Sequence, residues 1–314
     1  MKAIQKILLK FIKKSKEGNF QELTNIIENE KIIDNKYDFK SFLHLISKIS
    51  NNHYRFLGFH EKIEQILSFY RNQIQNYFTN DEIFNIFKNN KRILLYLFDE
   101  KVIIFDQNIL YKIINKNYEE SNYTQYFMPE IILLTKINDK EIPDQFAEKR
   151  KTGENDLFIC ELIRNDSVEE FIAFINKNNI SLNTKIEPSI YETNPFLINN
   201  KEQSLIEYAA FFGSFEIFQY LMMNKVNLNS SLWKYVIHGQ NPDLIHLLED
   251  NHIEYDYEIK IIESIEYGNE NQVNASLLGR YNELFKKHSF LFIKGSIVKE
   301  NYLSINKTDK KYLN

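Results

Sequence analysis

Apolar residues recur at helical spacing in short runs along this chain, and polar or glycine turns separate the runs. The pattern is most regular in three 23-residue stretches, which align without gaps: ELIRNDSVEEFIAFINKNNISLN (161–183), EYAAFFGSFEIFQYLMMNKVNLN (207–229) and KYVIHGQNPDLIHLLEDNHIEYD (234–256). Each stretch predicts a short apolar helix, a turn at Ser167, Gly213 or Gln240, and then a second helix. The recurrence predicts a repeated helix–turn–helix motif.

The second helix of each stretch carries an acid near its start, at Glu170, Glu216 and Asp243. The positive end of the helix dipole favours a carboxylate there. The second and third stretches are offset by 27 residues, and the first and second by 46, because residues 184–204 intervene. That insert either bridges two repeats inertly or forms a contact loop.

The small residues of the second stretch are what a stack of helix pairs would require. Ala209 and Ala210 would let neighbouring first helices approach closely, and Gly213 would let the chain reverse. The alternative is an ordinary helical hairpin in a compact bundle. The 27-residue recurrence counts against that alternative.

The pattern resembles ankyrin repeats. The run SLIEYAAFFGSFEIFQYLMMNKVNLNSSLWKYVIHGQNPDLIHLLEDNHIE is more closely similar to a family of divergent ankyrin-like proteins, abundant in trichomonad protists, whose domain has no known function. The resemblance implies an ankyrin-type stack and an interaction role, with no known activity. Two segments depart from the Thr-Pro-Leu-His signature of ankyrin, Ser204-Leu205-Ile206-Glu207 and Ser231-Leu232-Trp233-Lys234. The reciprocal hydrogen bonding of that Thr and His is therefore expected to be lost.

The predicted fold is all-α. An ankyrin-like helical-repeat solenoid is expected at 151–278, after an irregular α-helical region at 1–150 and before a C-terminal extension at 279–314 whose structure the sequence leaves open. Only 8 Gly and 5 Pro in 314 residues argue against a fold with many tight turns. The segment 136–152, which is charged and contains a proline, is the expected linker.

Charge is unevenly distributed along the chain. The formal net charge is only −4, yet residues 154–278 hold 7 Lys/Arg against 20 Asp/Glu. So acidic a surface repels phosphate backbones, which argues against nucleic acid as the partner. A basic protein partner is favoured instead.

The first residues, MKAIQKILLKFIKK, place Ile4, Ile7, Leu8 and Phe11 on one helix face and lysines on the other. This helix would lie on a membrane surface, serve as an organelle presequence, or pack on its neighbour, and we favour packing. The start lacks the features of a secretory signal, and no apolar run approaches the roughly 18 residues of a membrane span. The single cysteine suits a reducing compartment. We expect an intracellular, cytoplasmic protein that does not act at membranes.

The sequence holds no recognisable motif for catalysis, a metal or a cofactor. Cys160 lies in an apolar run with no base at a suggestive spacing, which favours a buried structural thiol. His238, His246 and His252 are close in sequence, but no metal-binding spacing accompanies them. We therefore expect no enzyme, no cofactor and no metal. An enzyme without a local motif is the alternative.

The resemblance places Tyr208, Phe211, Tyr235 and His238 at the helix position that lines the concave face of ankyrin-like stacks. Exposed aromatic residues there would be binding hot spots, and core packing is the competing interpretation. The leading functional hypothesis is a protein–protein interaction module or scaffold with an acidic concave surface. A membrane-surface adaptor that uses the basic N-terminal helix is the alternative.

Overall fold

The computed structural model describes residues 2–13, 18–52, 58–115, 122–136, 142–200, 202–239 and 241–254. The regular secondary structure in these ranges is helical and includes no strand, so the all-α prediction is confirmed for them. The chain divides into two compact units. Unit 1 comprises residues 1–161 and 185–203, and unit 2 comprises residues 162–184 and 204–314. The last part of the predicted solenoid, residues 255–278, and the C-terminal extension at 279–314 lie outside the described residues.

This division differs from the predicted boundary at residue 150. The first unit continues to Glu161, and most of the insert between the first two repeats belongs to it. Helix α12 (Phe158–Arg164) spans the division point.

Unit 1 holds twelve further α-helices among its described residues, and a 3₁₀ helix at Ile32–Asp34. They are α1 (Lys2–Lys13), α2 (Gly18–Asn29), α3 (Lys36–Asn52), α4 (Phe59–Phe69), α5 (Arg71–Tyr77), α6 (Asn80–Phe87), α7 (Lys91–Asp99), α8 (Gln107–Asn115), α9 (Tyr123–Tyr126), α10 (Met128–Thr135), α11 (Phe146–Thr152) and α14 (Pro195–Asn199).

The apolar face of α1 is part of the core of unit 1. Ile4, Leu8 and Phe11 are buried, and α1 packs on α2 and α4. Burial removes these side chains from water, which is the main driving force for docking the helix. The structure thus has the packed first helix that we favoured, with its apolar face turned to the protein.

The expected linker at 136–152 is corrected by the structure, because its last seven residues form α11. Arg150 in that helix is buried, and its guanidinium donates two hydrogen bonds to the Glu130 carboxylate (2.6 and 2.9 Å) and one to the Tyr126 carbonyl (3.1 Å). A charged residue usually indicates exposed chain, but here pairing and hydrogen bonding offset the loss of hydration.

Unit 2 is built from helix pairs. Its described helices are α13 (Val168–Asn178), α15 (Leu205–Phe212), α16 (Phe215–Met223), α17 (Leu232–Gly239) and α18 (Pro242–Asp250), together with the end of α12. The three pairs are α12–α13, α15–α16 and α17–α18. Helix α15 packs along α17, and α13 packs beside α16. The expected close approach at Ala209 and Ala210 agrees with their complete burial.

The second helices of the three pairs end in the same way. Left-handed residues follow them at Asn179, Lys225 and His252, with φ of 50°, 58° and 54°. The next amide then bonds back to the carbonyl five residues earlier, in Ile180 N→Ile175 O (3.0 Å), Val226 N→Leu221 O (3.2 Å) and Ile253 N→Leu248 O (3.1 Å). These positions keep the 46- and 27-residue offsets of the sequence alignment. The helix ends therefore repeat in register.

The turns inside the first two pairs are shifted by one residue against that alignment. Asp166 (φ 51°) and Gly213 (φ 69°) hold the left-handed position, so Gly213 corresponds to Asp166 rather than to Ser167. Asp166 and Asn179 are thirteen residues apart, whereas Gly213 and Lys225 are twelve apart. The second helix of the first pair thus accommodates one extra residue, which a gap-free alignment cannot show.

Candidate interaction surface

The four predicted partner-binding residues are buried in unit 2. Tyr208 and Phe211 are each 1% exposed, Tyr235 is 3% exposed and His238 is 6% exposed. Arg164 of α12 donates to the Tyr208 hydroxyl (3.0 Å), and the rings of Phe211 and His238 lie 5.5 Å apart between α15 and α17. Tyr208, Phe211 and His238 thus connect neighbouring helix pairs. Their burial differs from the expected exposed concave face and agrees with the competing interpretation, core packing.

Reciprocal hydrogen bonds join Ser204 and Glu207, the first and last residues of a segment that departs from the ankyrin signature. Ser204 donates to Glu207 Oε2 from its backbone N–H (2.8 Å) and from its hydroxyl (2.9 Å), and Glu207 N donates back to Ser204 Oγ (3.4 Å). This arrangement is a capping box, in which the two side chains accept hydrogen bonds from backbone N–H groups that have no partner within the helix at the start of α15. The Ser-x-x-Glu spacing was a signal for it that sequence reasoning missed.

The Glu207 carboxylate also binds the next helix pair. Ser231, which lies 27 residues after Ser204, donates its hydroxyl to Glu207 Oε1. One carboxylate thus caps α15 and holds the residue that precedes α17.

The turns of the three pairs lie side by side. The Asp166 carboxylate of the first pair accepts hydrogen bonds from Glu216 N and Ile217 N of α16, both at 3.0 Å. From the third pair, Asn241 Nδ2 donates to the Gly213 carbonyl of the second pair (3.0 Å). The buried Ser214 hydroxyl donates to the carbonyl of Ile163. These bonds hold the turn end of each pair against its neighbour.

Exposed carboxylates follow this row of turns. They belong to the first turns of α13, α16 and α18, and we call the set the acidic edge: Glu169, Glu170, Glu216 and Asp243. None of these four carboxylates forms an ion pair with a Lys or Arg in the part of the chain that the structure describes. Their charge is therefore available to a binding partner.

Two lysines of unit 2 lie at the far ends of α13 and α16, whereas Arg164 lies in the last turn of α12 and is hydrogen-bonded to the Tyr208 hydroxyl. Lys177 is in the last turn of α13, and Lys225 follows the end of α16. At a rise of about 1.5 Å per residue, roughly 10–14 Å of helix separates each lysine from the acid of its own first turn. Such distances exceed those of an ion pair, so on α13 and α16 the acid and the lysine lie at opposite ends.

His246 and Cys160 are two further candidate groups from the sequence. His246 Nδ1 lies 3.3 Å from Glu249 Oε2, so the two side chains share a helix face, and both reach solvent. Within the described ranges, no three His, Cys, Asp or Glu side chains are grouped so that they could hold a metal ion. Cys160 is buried, in agreement with a structural role.

No helix in the described part of the chain has the length and apolar character that crossing a membrane requires. Comparisons with protein-family models, with curated proteins and with solved structures each give no match to this chain. The ankyrin-like identity therefore stays a prediction from the residue pattern.

Proposed function

We propose that unit 2 is a protein-binding module of ankyrin-like helix pairs, and that its acidic edge receives a basic segment of a partner protein. The observation that carries the proposal is the position of the four exposed carboxylates on three successive pairs, whose turns are hydrogen-bonded to one another. The proposal assigns no catalytic residue and no cofactor.

Rigid spacing of the carboxylates is what would make this edge selective. A single exposed ion pair is worth only about 0–1 kcal/mol, so a stable complex needs several at once. The turn-to-turn bonds fix the relative positions of Glu170, Glu216 and Asp243 before binding, which lowers the entropy that binding costs. A row of like charges also accelerates encounter with a basic partner at low salt.

The acidic character of the edge limits the class of partner. Phosphate backbones of nucleic acid would be repelled by carboxylates that no described cation neutralises. Lysine- or arginine-rich protein segments carry the complementary charge. The aromatic residues on the first helices support the stack and are not part of the proposed contact.

A charge-neutralised full chain tests the proposal. The edge variant carries Glu169→Gln, Glu170→Gln, Glu216→Gln and Asp243→Asn. The matched control variant neutralises four exposed acids of unit 1: Glu30→Gln, Asp34→Asn, Asp38→Asn and Glu100→Gln. Wild type and both variants serve as baits for affinity capture from the source cells, and each captured partner is then purified and titrated.

The proposal predicts a protein partner that binds wild type and the control variant equally and binds the edge variant at least tenfold more weakly. The affinity for wild type should also fall as salt increases, since the contact is electrostatic. Equal binding by the edge and control variants would contradict the proposal. Thermal unfolding of each bait shows whether a loss of binding reflects a loss of folding.

A further inference from the structure

Residues 186–194 form a non-helical segment of unit 1, which we call the strap. They precede α14 and belong to the insert that interrupts the repeat pattern. Most of the strap is buried, including Glu192, Thr193 and Asn194. An irregular segment with so many buried polar residues needs specific hydrogen bonds to stay in place.

Polar bonds to residues 153–156 hold both ends of the strap. Asn155 Nδ2 donates to the Glu187 carbonyl (3.0 Å), and the Ser189 hydroxyl donates to Asp156 Oδ1 (2.8 Å). Thr193 donates to the Gly153 carbonyl from its backbone N–H (3.0 Å) and from its hydroxyl (2.7 Å).

The Thr193 contact requires a glycine as its acceptor. Gly153 has φ of +74°, and a Cβ added there would lie 2.9 Å from Thr193 Oγ1. Any side chain at this position would strain the backbone and displace the strap. The close approach is therefore a specific docking contact.

The centre of the strap is held by a buried lysine. Lys91 of α7 is 1% exposed, and its ammonium donates to the Ile190 carbonyl (3.2 Å). The same nitrogen lies 5.0 Å from the centre of the Tyr126 ring, and the Glu192 carboxylate acts on it electrostatically. Burying an ammonium sacrifices its hydration, and an apolar side chain of similar volume would often be at least as stable. Global stability alone therefore does not account for a lysine here.

We propose that the strap is a releasable element of unit 1 and that Lys91 is its latch. The strap opens locally while the helices of unit 1 stay folded. Its attachment combines these polar bonds with two buried apolar side chains, Ile186 and Tyr191, and a segment with so few apolar anchors opens more readily than an apolar core. Opening brings the Lys91 ammonium and the Glu192 carboxylate into water. This inference concerns unit 1 and is independent of the binding role proposed for unit 2.

Hydrogen exchange of the full chain tests the latch. Lys91→Met removes the bond to Ile190 and keeps most of the side-chain volume. Lys62→Met is the matched control, because Lys62 also donates from its ammonium to backbone carbonyls, those of Phe11 and Ile12. The Thr193 and Asn194 amides should exchange at least tenfold faster in Lys91→Met than in wild type, with the α4 and α7 amides unchanged. In Lys62→Met the strap amides should keep the wild-type rate.

A second variant covers the case in which Lys91→Met does not fold. Thr193→Val removes one bond from the strap side without a change of shape, and it should also speed exchange of the strap amides. Cleavage after Glu192 by a glutamate-specific protease should increase in parallel. Strap amides that exchange no faster in either variant, or that exchange only in step with α7, would overturn the proposal.

Discussion

The two units keep polar groups in different places. In unit 2 the described polar contacts gather at helix ends, where Asp166, Glu207 and Asn241 join one pair to the next at or near the repeat spacing. In unit 1 charged side chains lie inside: among the described residues, Lys91, Arg150 and Glu192 are the buried charged ones, and all belong to this unit. Unit 2 thus repeats the same kind of contact at its helix ends, whereas unit 1 depends on individual polar contacts between residues far apart in sequence.

The difference changes what a substitution should cost. A lost helix cap exposes one or two amides at a helix end, where water replaces the bond. A buried charge that loses its partner cannot regain hydration without rearrangement of the core. Removal of large apolar residues should be costly in both units, because both have close-packed interiors.

The largest effect is expected from Phe211→Ala in unit 2. Phe211 is buried between α15 and α17, and its truncation should lower the free energy of unfolding by about 3–5 kcal/mol. Urea unfolding of the full chain measures this loss. Met223→Ala is the control, because Met223 is 68% exposed and its truncation should change stability by about 0.5 kcal/mol or less. An unchanged stability in Phe211→Ala would return this residue to the binding surface.

Arg150→Met tests the buried charges of unit 1. It leaves the Glu130 carboxylate without its bidentate partner, and the loss of stability should be about 3–4 kcal/mol. Lys10→Gln removes an exposed ion pair with Glu22 and should cost about 0–1 kcal/mol in the same denaturation experiment.

The double variant Arg150→Met/Glu130→Met sharpens this result. It removes both charges and should recover a large part of the loss, since no unpaired carboxylate is left. If the double variant is less stable than Arg150→Met, the two side chains do not act as a pair.

The pH dependence of stability should reveal the environment of Lys91. Burial lowers the pKa of Lys91 from 10.5 to about 8, and the Glu192 charge opposes that shift. Between these two values the unfolded chain binds more protons at this group than the folded chain does, so the contribution of Lys91 to stability rises with pH. Between pH 7 and pH 10 wild type should gain about 2 kcal/mol relative to Lys91→Met, which does not titrate. Denaturation midpoints at four pH values measure the gain, and a constant difference would contradict it.

The smallest effect concerns the bond between the first two helix pairs. Asp166→Gly keeps the left-handed backbone but removes the carboxylate that caps α16, and it should cost about 1–2 kcal/mol. Asp166→Asn keeps one acceptor and should cost less. Ser167→Ala is the control, because the Ser167 side chain makes no cap bond to α13. Equal stability of Asp166→Gly and Ser167→Ala would show that the pairs do not depend on this contact.

The sequence predicted unit 2 well where the physics is local and periodic. The 27-residue distance between helix ends follows from the repeat spacing, and the left-handed turn at Gly213 follows from the glycine. The one-residue shift of the turn at Asp166 was not predicted, because one extra residue in the following helix leaves its apolar pattern unchanged. The sequence did not decide whether the aromatic residues of α15 are exposed or buried, because the apolar pattern identifies a helix face but not the neighbour that packs on it.

Unit 1 shows why the rest was not predictable. Lys91 and Ile190 are 99 residues apart, and no periodicity relates them. Arg150 lies in a charged run that is typical of exposed chain, and only its distant partner Glu130 explains its burial. Contacts of this kind depend on the complete fold.

Zero-length carbodiimide cross-linking of the captured complex tests the acidic edge most directly, because it joins a carboxylate only to a lysine in contact with it. The account predicts that mass spectrometry finds partner lysines joined to Glu169, Glu170, Glu216 or Asp243. Cross-links to the partner only through carboxylates of unit 1, such as Glu30 or Glu100, would contradict it.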